Sequence, residues 1–129
     1  MRTKQRNNLA ETARHERVAQ NTDVYAVKAR NYKGLRRGSP VFCRNNWHIH
    51  HNGGQILLCT AGRGYYQEWG KEAQELHPGD VVNIPPEVKH WHGAAKDSWF
   101  AHLAVEVPAE GASNEWLEVV NEEDYEKLK

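Results

Sequence analysis

The amino-acid sequence predicts an all-β domain, built as an antiparallel sandwich or barrel and followed by one short helix. Two observations carry this prediction. From residue 41 onward the chain consists of short runs of β-forming residues, and a turn signal rich in Gly, Pro or Asn closes most of them. The runs recur about every ten residues, a spacing typical of antiparallel all-β domains. The 129 residues fit one such domain with a single core.

The positions of the turns define the predicted strands. The clearest turn signals are residues 51–54, which contain Asn-Gly-Gly, and residues 77–80, which contain Pro-Gly-Asp. An early strand is predicted within residues 23–33, with a loop over 33–40 after it. The remaining strands are predicted at 41–50, 55–61, 65–69, 73–76, 81–84, 90–93 and 98–107.

The two ends of the chain differ from this pattern. Residues 1–20 are polar and charged with few apolar anchors, which predicts a frayed helix or disorder. The tail predicts one short helix, because Asn121 can cap it and the acidic residues 122–124 suit the positive first turn. Lys127 and Lys129 suit its last turn.

The charge of the chain is balanced in total but not along its length. Lys and Arg number 17, as do Asp and Glu, so the net charge predicts no nucleic-acid or acidic lipid partner. Residues 1–42 carry ten basic and three acidic side chains, whereas the remainder carries seven and fourteen. We interpret the basic head as a flexible, solvated end rather than as a nucleic-acid-binding arm.

Nothing in the sequence predicts a membrane or secreted location. Its apolar runs are far shorter than the roughly 20 residues of a membrane helix, and the N-terminus lacks the apolar segment of a secretory signal. Cys43 and Cys59 do not make a disulfide framework, so buried reduced thiols are expected. These features together predict a cytoplasmic protein.

Histidines give the first indication of chemistry, because seven of the eight follow residue 47. His48 and His50 are separated by one residue within a predicted strand, so their imidazoles share a face and can bind the same ion. Gln55 opens the next strand with an amide oxygen, and His90 follows a later turn. The alternative interpretation of His48 and His50 is two exposed strand histidines.

The spacing of these residues resembles two motifs of a known family. His48-x-His50-x4-Gln55-x6-Gly62 resembles the first cupin motif, with Gln where many cupins have Glu, and Gly79-x5-Pro85-x4-His90 resembles the second. The resemblance implies a jelly-roll barrel, the double-stranded β-helix, with one divalent metal ion per chain near one mouth. It extends from about Asn45 to Trp116.

A narrower resemblance concerns activity. The segments 47–50, 54–57, 79–82, 89–94 and 101–104 are similar to small bacterial cupins that include manganese-dependent (R)-selective hydroxynitrile lyases. That similarity implies His48, His50, Gln55 and His90 as metal ligands and His102 as the acid–base residue. Manganese is the metal implied, with Fe, Ni, Co and Zn left open. The similarity also implies a small-molecule substrate and a homo-oligomer, a dimer or larger.

The chain departs from the family pattern at three places. Phe42 stands where the first motif usually begins with Gly, and Glu87 stands where the second usually has Gly after Pro85. Residues 1–41 do not resemble the usual opening strands. We therefore divide the chain into an atypical basic segment, residues 1–40, and a cupin domain, residues 41–129.

The predicted site favours Lewis-acid chemistry. Three imidazoles and an amide are neutral, so a bound divalent ion would keep its charge and favour an anion or oxyanion. Strand alternation directs Phe100, His102 and Ala104 to one inward face, where His102 could transfer a proton and Phe100 could line an apolar pocket. His92 shares the parity of His90 and is expected beside the pocket. A structural role for His102 or His92 stays open, as do a cupin oxygenase and a non-catalytic small-molecule-binding cupin.

Overall fold

The computed structural model describes residues 26–33 and 44–129, which form nine strands and one helix. For residues 26–33 the structure describes the backbone and its strand pairing. The strands are β1 (Ala26–Lys33), β2 (His48–His51), β3 (Gln55–Gly62), β4 (Gly64–Glu68), β5 (Gln74–Leu76), β6 (Val81–Ile84), β7 (His90–Ala94), β8 (Trp99–Glu106) and β9 (Ser113–Trp116). The helix, here α1, spans Glu122–Glu126.

The strands form two antiparallel sheets. One has four strands in the order β1-β8-β3-β6, and the other has five strands in the order β5-β4-β7-β2-β9. Strand β1 pairs with β8 along its whole length, from Ala26 opposite Glu106 to Lys33 opposite Trp99. Residues 26–33 therefore supply one edge of the four-stranded sheet.

The main core lies between the two sheets. Phe100 and Leu57 come from the four-stranded sheet and pack with Tyr66 and Ala94 of the five-stranded sheet. Burial alternates along β8, with Phe100, His102 and Ala104 inside, as the sequence predicts. The full buried set is Leu57, Cys59, Tyr66, Leu76, Val82, Ile84, Ala94, Phe100 and Ala104. These side chains are largely apolar, so their removal from water stabilises the packing of the two sheets against each other.

A second cluster covers the outer face of the five-stranded sheet. Trp47, Trp91 and Tyr125 pack there with Tyr65, Ala95 and Val120. The Tyr125 hydroxyl on α1 donates a hydrogen bond to the carbonyl oxygen of Ala94 at 2.7 Å. Strand β7 is consequently buried on both faces. The C-terminal segment thus acts as an additional layer on the sheet.

The predicted helix is confirmed, with one difference at its end. The Asn121 side chain accepts hydrogen bonds from the backbone N–H groups of Glu123 and Asp124, and three acidic residues occupy the first turn. Lys127 is the C-cap residue, so no basic residue lies within the last turn. Partial positive charge at the N-terminus explains the acidic preference there.

Most predicted strands are confirmed, and two regions differ. The run predicted at 41–50 is strand only from His48 within the described residues, because Arg44 makes an isolated bridge and 45–47 are irregular. Strand β9 was not predicted, and its four residues are exposed. Without an apolar face it has no alternating pattern to detect.

Gly62 shows why the first motif ends in glycine. Its φ is +74°, a conformation that favours glycine, and a Cβ there would overlap the carbonyl oxygen of Trp99.

Cys59 is buried and reduced, and burial raises the pKa of its thiol to about 11. Cys43 lies outside the described residues, as do the interpretations of residues 1–20 and of Phe42. In the described part of the chain, no helix is long and apolar enough to cross a membrane.

Candidate metal centre

Three histidines meet on the inner face of the five-stranded sheet. His48 on β2 lies directly opposite His90 on β7, and His50 follows two residues later on the same face. The ring centroids of His48 and His90 are 4.1 Å apart, and that of His50 lies 5.1 and 5.2 Å from them. One nitrogen from each ring falls within 4.8 Å of the other two. These three side chains could hold a metal ion.

Backbone carbonyl groups orient two of these rings. His48 Nδ1 lies 2.8 Å from the carbonyl oxygen of Asn46, and His90 Nδ1 lies 2.8 Å from that of Val88. A carbonyl oxygen can only accept, so each Nδ1 carries the hydrogen and each Nε2 keeps its lone pair. This is the tautomer that a metal ion requires of an Nε2 ligand.

His50 is oriented by two side chains. Its Nδ1 donates to Asn114 Oδ1 at 2.7 Å on strand β9 and faces Glu106 Oε2 at 3.3 Å on β8. Its Nε2 is buried without a hydrogen-bond partner among the described residues, and the same is true of His90 Nε2. Buried unsatisfied nitrogens are costly, so their presence here fits atoms that receive a ligand.

Gln55, the fourth predicted ligand, lies on β3 of the opposite sheet. Its Nε2 donates to Glu106 Oε1 at 2.7 Å, which leaves Oε1 as the other end of the amide. Within the described part of the chain, that oxygen is buried without a partner. Imidazole nitrogens and amide oxygens suit a divalent transition metal, and the three histidines with Gln55 are the candidate donor set.

Burial keeps His48 and His90 neutral. It lowers the pKa of His48 to about 4 and that of His90 to about 3, with the neighbouring histidines adding to the effect. A neutral imidazole has the lone pair that binds a metal ion. At neutral pH the two histidines consequently need no deprotonation to act as ligands.

Two further histidines lie deeper between the sheets. His92 receives a hydrogen bond at Nε2 from the Asn45 amide at 3.0 Å, and its ring meets that of His102 edge-on with 4.8 Å between centroids. Burial, with His102 and His48 nearby, lowers the pKa of His92 well below its usual value. Phe100 stacks on His102 at 5.2 Å. The predicted pocket residues thus surround His102.

Strand β9 lies beside the histidines of β2, with which it pairs. Trp116 stacks on His48 with 4.7 Å between ring centroids. His51 points away from the ligand face, and its two nitrogens bind Glu87 at 2.6 Å and Glu115 at 2.7 Å. Both nitrogens face carboxylates, so the pKa of His51 is raised, chiefly by Glu87.

Glu87 replaces the usual glycine without loss of the turn. Its φ is +68°, a conformation rarely adopted by residues with a Cβ. Its carboxylate accepts a hydrogen bond from the Asn52 backbone N–H at 3.0 Å besides binding His51. These contacts offset the backbone strain that glycine would have avoided.

Glu106 and Asn114 are site residues that the sequence analysis did not identify. Glu106 falls on the same inward face of β8 as Phe100, His102 and Ala104. A charged residue on that face could have indicated a site residue. Asn114 lies opposite His50 on the unpredicted strand β9, and no sequence pattern indicated it. Glu106 also changes the expected electrostatics, because a carboxylate lies directly behind the neutral donors.

A groove on the described surface lies away from these residues. It has a volume of about 490 Å³ and runs between Trp47, Trp69 and the C-terminal segment 118–124. The candidate ligands do not line it. This groove is therefore separate from the candidate metal centre.

Comparison with known proteins identifies the family. A family model described as a cupin domain matches residues 40–106, more than half of the chain. This chain belongs to the cupin family. The predicted fold is confirmed as well, since a cupin-like protein of Thermotoga maritima is 42% identical and superposes with a TM-score of 0.71. That match covers 82% of this cupin and 74% of the Thermotoga chain.

Two curated relatives have named activities. The (R)-mandelonitrile lyase of Granulicella tundricola is 44% identical over 84 residues, which cover 65% of this cupin and 63% of the relative. The acireductone dioxygenase of Bacillus pumilus is 26% identical over 78 residues, covering 57% of this cupin and 42% of the relative. The matched region thus spans less than two thirds of either relative.

Proposed function

We propose that this cupin is a metal-dependent lyase acting on a small carbonyl-derived substrate, with cyanohydrin cleavage as the model reaction. The observation that carries the proposal is the set of donor atoms that are buried and unpartnered among the described residues: His50 Nε2, His90 Nε2 and Gln55 Oε1. They occur in a chain 44% identical over 84 residues to an (R)-mandelonitrile lyase.

The ligand roles follow from these donor atoms. His48, His50 and His90 would bind the ion through Nε2, and Gln55 would bind it through Oε1. Bound there, a divalent metal ion supplies an electrophilic position that stabilises an anion or an oxyanion. Manganese is the metal that the resemblance implies, with Fe, Ni, Co and Zn as the alternatives.

His102 is the proposed acid–base residue. Its side chain is buried beside His92 and Phe100 on the inner face of β8. In cyanohydrin cleavage, His102 takes the hydroxyl proton while the bond to the nitrile carbon breaks. The products are a carbonyl compound and cyanide, and His102 returns the proton to cyanide. Such proton transfer contributes about 10²–10⁴-fold to a rate.

The pocket wall is proposed from the same group of side chains. Phe100 contributes an apolar surface that excludes water from the reacting atoms, and stacking holds its ring parallel to that of His102 within 28°. The Asn45 amide holds the His92 ring in place from the opposite side. This arrangement suits a small substrate with an apolar or aromatic substituent.

Metal content is the first test of the proposal. The tag-free protein, reconstituted with Mn²⁺, should hold about one equivalent per chain by plasma mass spectrometry. The His48→Ala, His90→Ala double variant should hold little. His77→Ala is the matched control, because this histidine is exposed in a turn beside Asp80. Little metal in the wild-type protein would contradict the proposal.

Turnover is the second test. The metal-loaded protein should cleave mandelonitrile, and His102→Ala should lower kcat about 10²–10⁴-fold with unchanged metal content. Full metal occupancy with no dependence on His102 would contradict the acid–base role. Full occupancy without any turnover would instead support a non-catalytic small-molecule-binding cupin.

A cupin oxygenase is the second candidate function. The similarity to acireductone dioxygenase favours it, as does the Glu106 carboxylate next to the donor set. It predicts Fe or Ni in the purified protein and oxygen consumption in an oxygen electrode with a suitable reductant. The lyase proposal predicts cyanide release under strictly anaerobic conditions.

The assembly and the cellular location stay predictions. A homo-oligomer, a dimer or larger, is what the resemblance implies, and light scattering coupled to size-exclusion chromatography measures it. Cytoplasmic localisation is likewise a prediction from the sequence. The division at residue 40 also stays a prediction, although β1 shows that residues 26–33 join the four-stranded sheet.

A further inference from the structure

Gln55, the amide of the candidate donor set, pairs directly with Glu106. They lie opposite each other on the adjacent antiparallel strands β3 and β8. Residues opposite each other in such a pair project to the same face, which brings their side chains together. Gln55 Nε2 donates to Glu106 Oε1 at 2.7 Å, and the Gln55 side chain is buried.

The carboxylate decides which end of the amide faces the histidines. A glutamine amide has an oxygen that can bind a cation and an NH₂ group that cannot. A carboxylate only accepts hydrogen bonds, so the NH₂ group must turn toward Glu106. The oxygen consequently faces the opposite way, and it is the buried Oε1 atom that lacks a partner among the described residues.

The same carboxylate also faces a second donor. Glu106 Oε2 lies 3.3 Å from Nδ1 of His50, which comes from the other sheet. Asn114 shares this nitrogen at 2.7 Å, so His50 has two acceptors, whereas the Gln55 NH₂ has its hydrogen bond to Glu106. Loss of Glu106 should therefore disturb Gln55 more than His50.

We propose that Gln55 and Glu106 act as one unit, in which Glu106 is a positioning residue for the amide oxygen. Glu106 also supplies the negative charge that a ligand carboxylate at position 55 would otherwise bring. The charge is kept close to the ion but outside its ligands. This inference rests on the proposed metal centre and extends it to the pair of positions 55 and 106.

The pair explains why position 55 carries Gln in this chain. A carboxylate at position 55 would place two carboxylates at hydrogen-bond distance across β3 and β8, where like charges oppose each other. Exchanging the two residues would remove that conflict, because an amide on β8 could donate to a carboxylate on β3. The identities of the two positions are thus expected to depend on each other.

The test measures metal affinity in four variants of the full chain. Dissociation constants for Mn²⁺ and Zn²⁺ are obtained by competition with a chromophoric chelator, for Glu106→Leu, Glu106→Gln, Gln55→Glu and the exchange variant Gln55→Glu, Glu106→Gln. The control is Glu110→Gln, an exposed carboxylate in the loop before β9. Circular dichroism confirms that each variant is folded.

Glu106→Leu is expected to weaken binding about 10–100-fold, the usual effect of removing a group that orients a metal ligand. Gln55→Glu is expected to bind at least about tenfold more weakly than the exchange variant, which should regain wild-type affinity or exceed it. If Glu106→Leu does not fold, the recovery of affinity in the exchange variant relative to Gln55→Glu still decides the matter.

Two results would overturn the inference. One is affinity within about twofold of wild type in both Glu106 variants. The other is an exchange variant whose loss is the sum of the two single losses, which would mean that the positions act independently. In either case a wild-type protein that still binds one equivalent of metal leaves the metal centre standing. A wild-type protein without affinity would instead remove the metal centre itself.

Discussion

The two faces of strand β7 differ in kind: one carries buried histidines of the candidate site, and the other carries a residue of the apolar core. Toward the four-stranded sheet it presents His90 and His92, which are polar, buried and costly to keep in place. Toward the C-terminal segment it presents Trp91, which is fully buried among apolar residues. Alternation along one strand thus places the two kinds of residue back to back.

The apolar layer on the outer face of β7 stabilises the fold that keeps the polar residues buried on its inner face. Burying imidazoles with unsatisfied nitrogens lowers the stability of the metal-free protein. Burial of Trp91, Trp47 and Tyr125 on the other side offsets this cost. Substitutions on the outer face should therefore change stability, whereas substitutions on the inner face should change metal binding.

The largest stability effect is expected for Trp91→Ala. Its side chain is fully buried, and its Nε1 donates to Gln67 Oε1 at 2.7 Å. Truncation should lower the free energy of unfolding by about 3–5 kcal/mol, measured by urea denaturation. The folded fraction should still bind one equivalent of metal if the two faces are separate.

Trp99→Ala is the matched control for that measurement. Trp99 is 54% exposed on the other sheet, so its loss should change stability by only about 0.5 kcal/mol. Equal losses in the two variants would break the proposed division between the faces.

The next effect is acid destabilisation of the metal-free protein. Burial lowers the pKa of His48 to about 4 and that of His90 to about 3, below the ordinary value of 6.5. The unfolded chain therefore takes up protons first, so stability is fully present above pH 6.5 and falls as the pH drops toward 4. The loss should be on the order of 2 kcal/mol for each of the two histidines by pH 5.

The variant His48→Gln, His90→Gln isolates this contribution. Its free energy of unfolding, measured by urea denaturation from pH 7 to pH 5, should change less steeply than that of the wild-type protein. Equal slopes for the two proteins would show that His48 and His90 do not take up protons on unfolding in this pH range.

Apart from the Trp99→Ala control, the smallest effect is expected for Tyr125→Phe. The substitution keeps the ring on the outer face but removes its hydrogen bond to the carbonyl oxygen of Ala94. Stability should fall by about 1 kcal/mol, with metal affinity unchanged. A large loss of metal affinity would mean that the C-terminal layer positions the ligands on β7 directly.

The strand pattern and the candidate ligands could be predicted because they depend on local order. Alternation within β2 and β8 assigns His48, His50 and His102 to inward faces without knowledge of any neighbour. The turn signals bounded β3, β4 and β6 closely for the same reason. Asn121 likewise capped α1 through contacts with its own next three residues.

Residues that act across strands escaped prediction. Asn114 contacts His50 only because β9 pairs with β2 in one register, across 64 positions of sequence. Glu106 reaches Gln55 only through the pairing of β3 with β8. Neither pairing leaves a local pattern in the sequence.

The sequence by itself determined the fold class, the cupin family resemblance and the residue types of the candidate metal centre, because periodicity and motif spacing are local properties. Only the tertiary structure decided which nitrogen of His50 is available, which way the Gln55 amide points and what covers β7. Those features depend on the register between strands distant in sequence. The hydrogen bonds of His50 to Asn114 and of Gln55 to Glu106 form only once β2 has paired with β9 and β3 with β8.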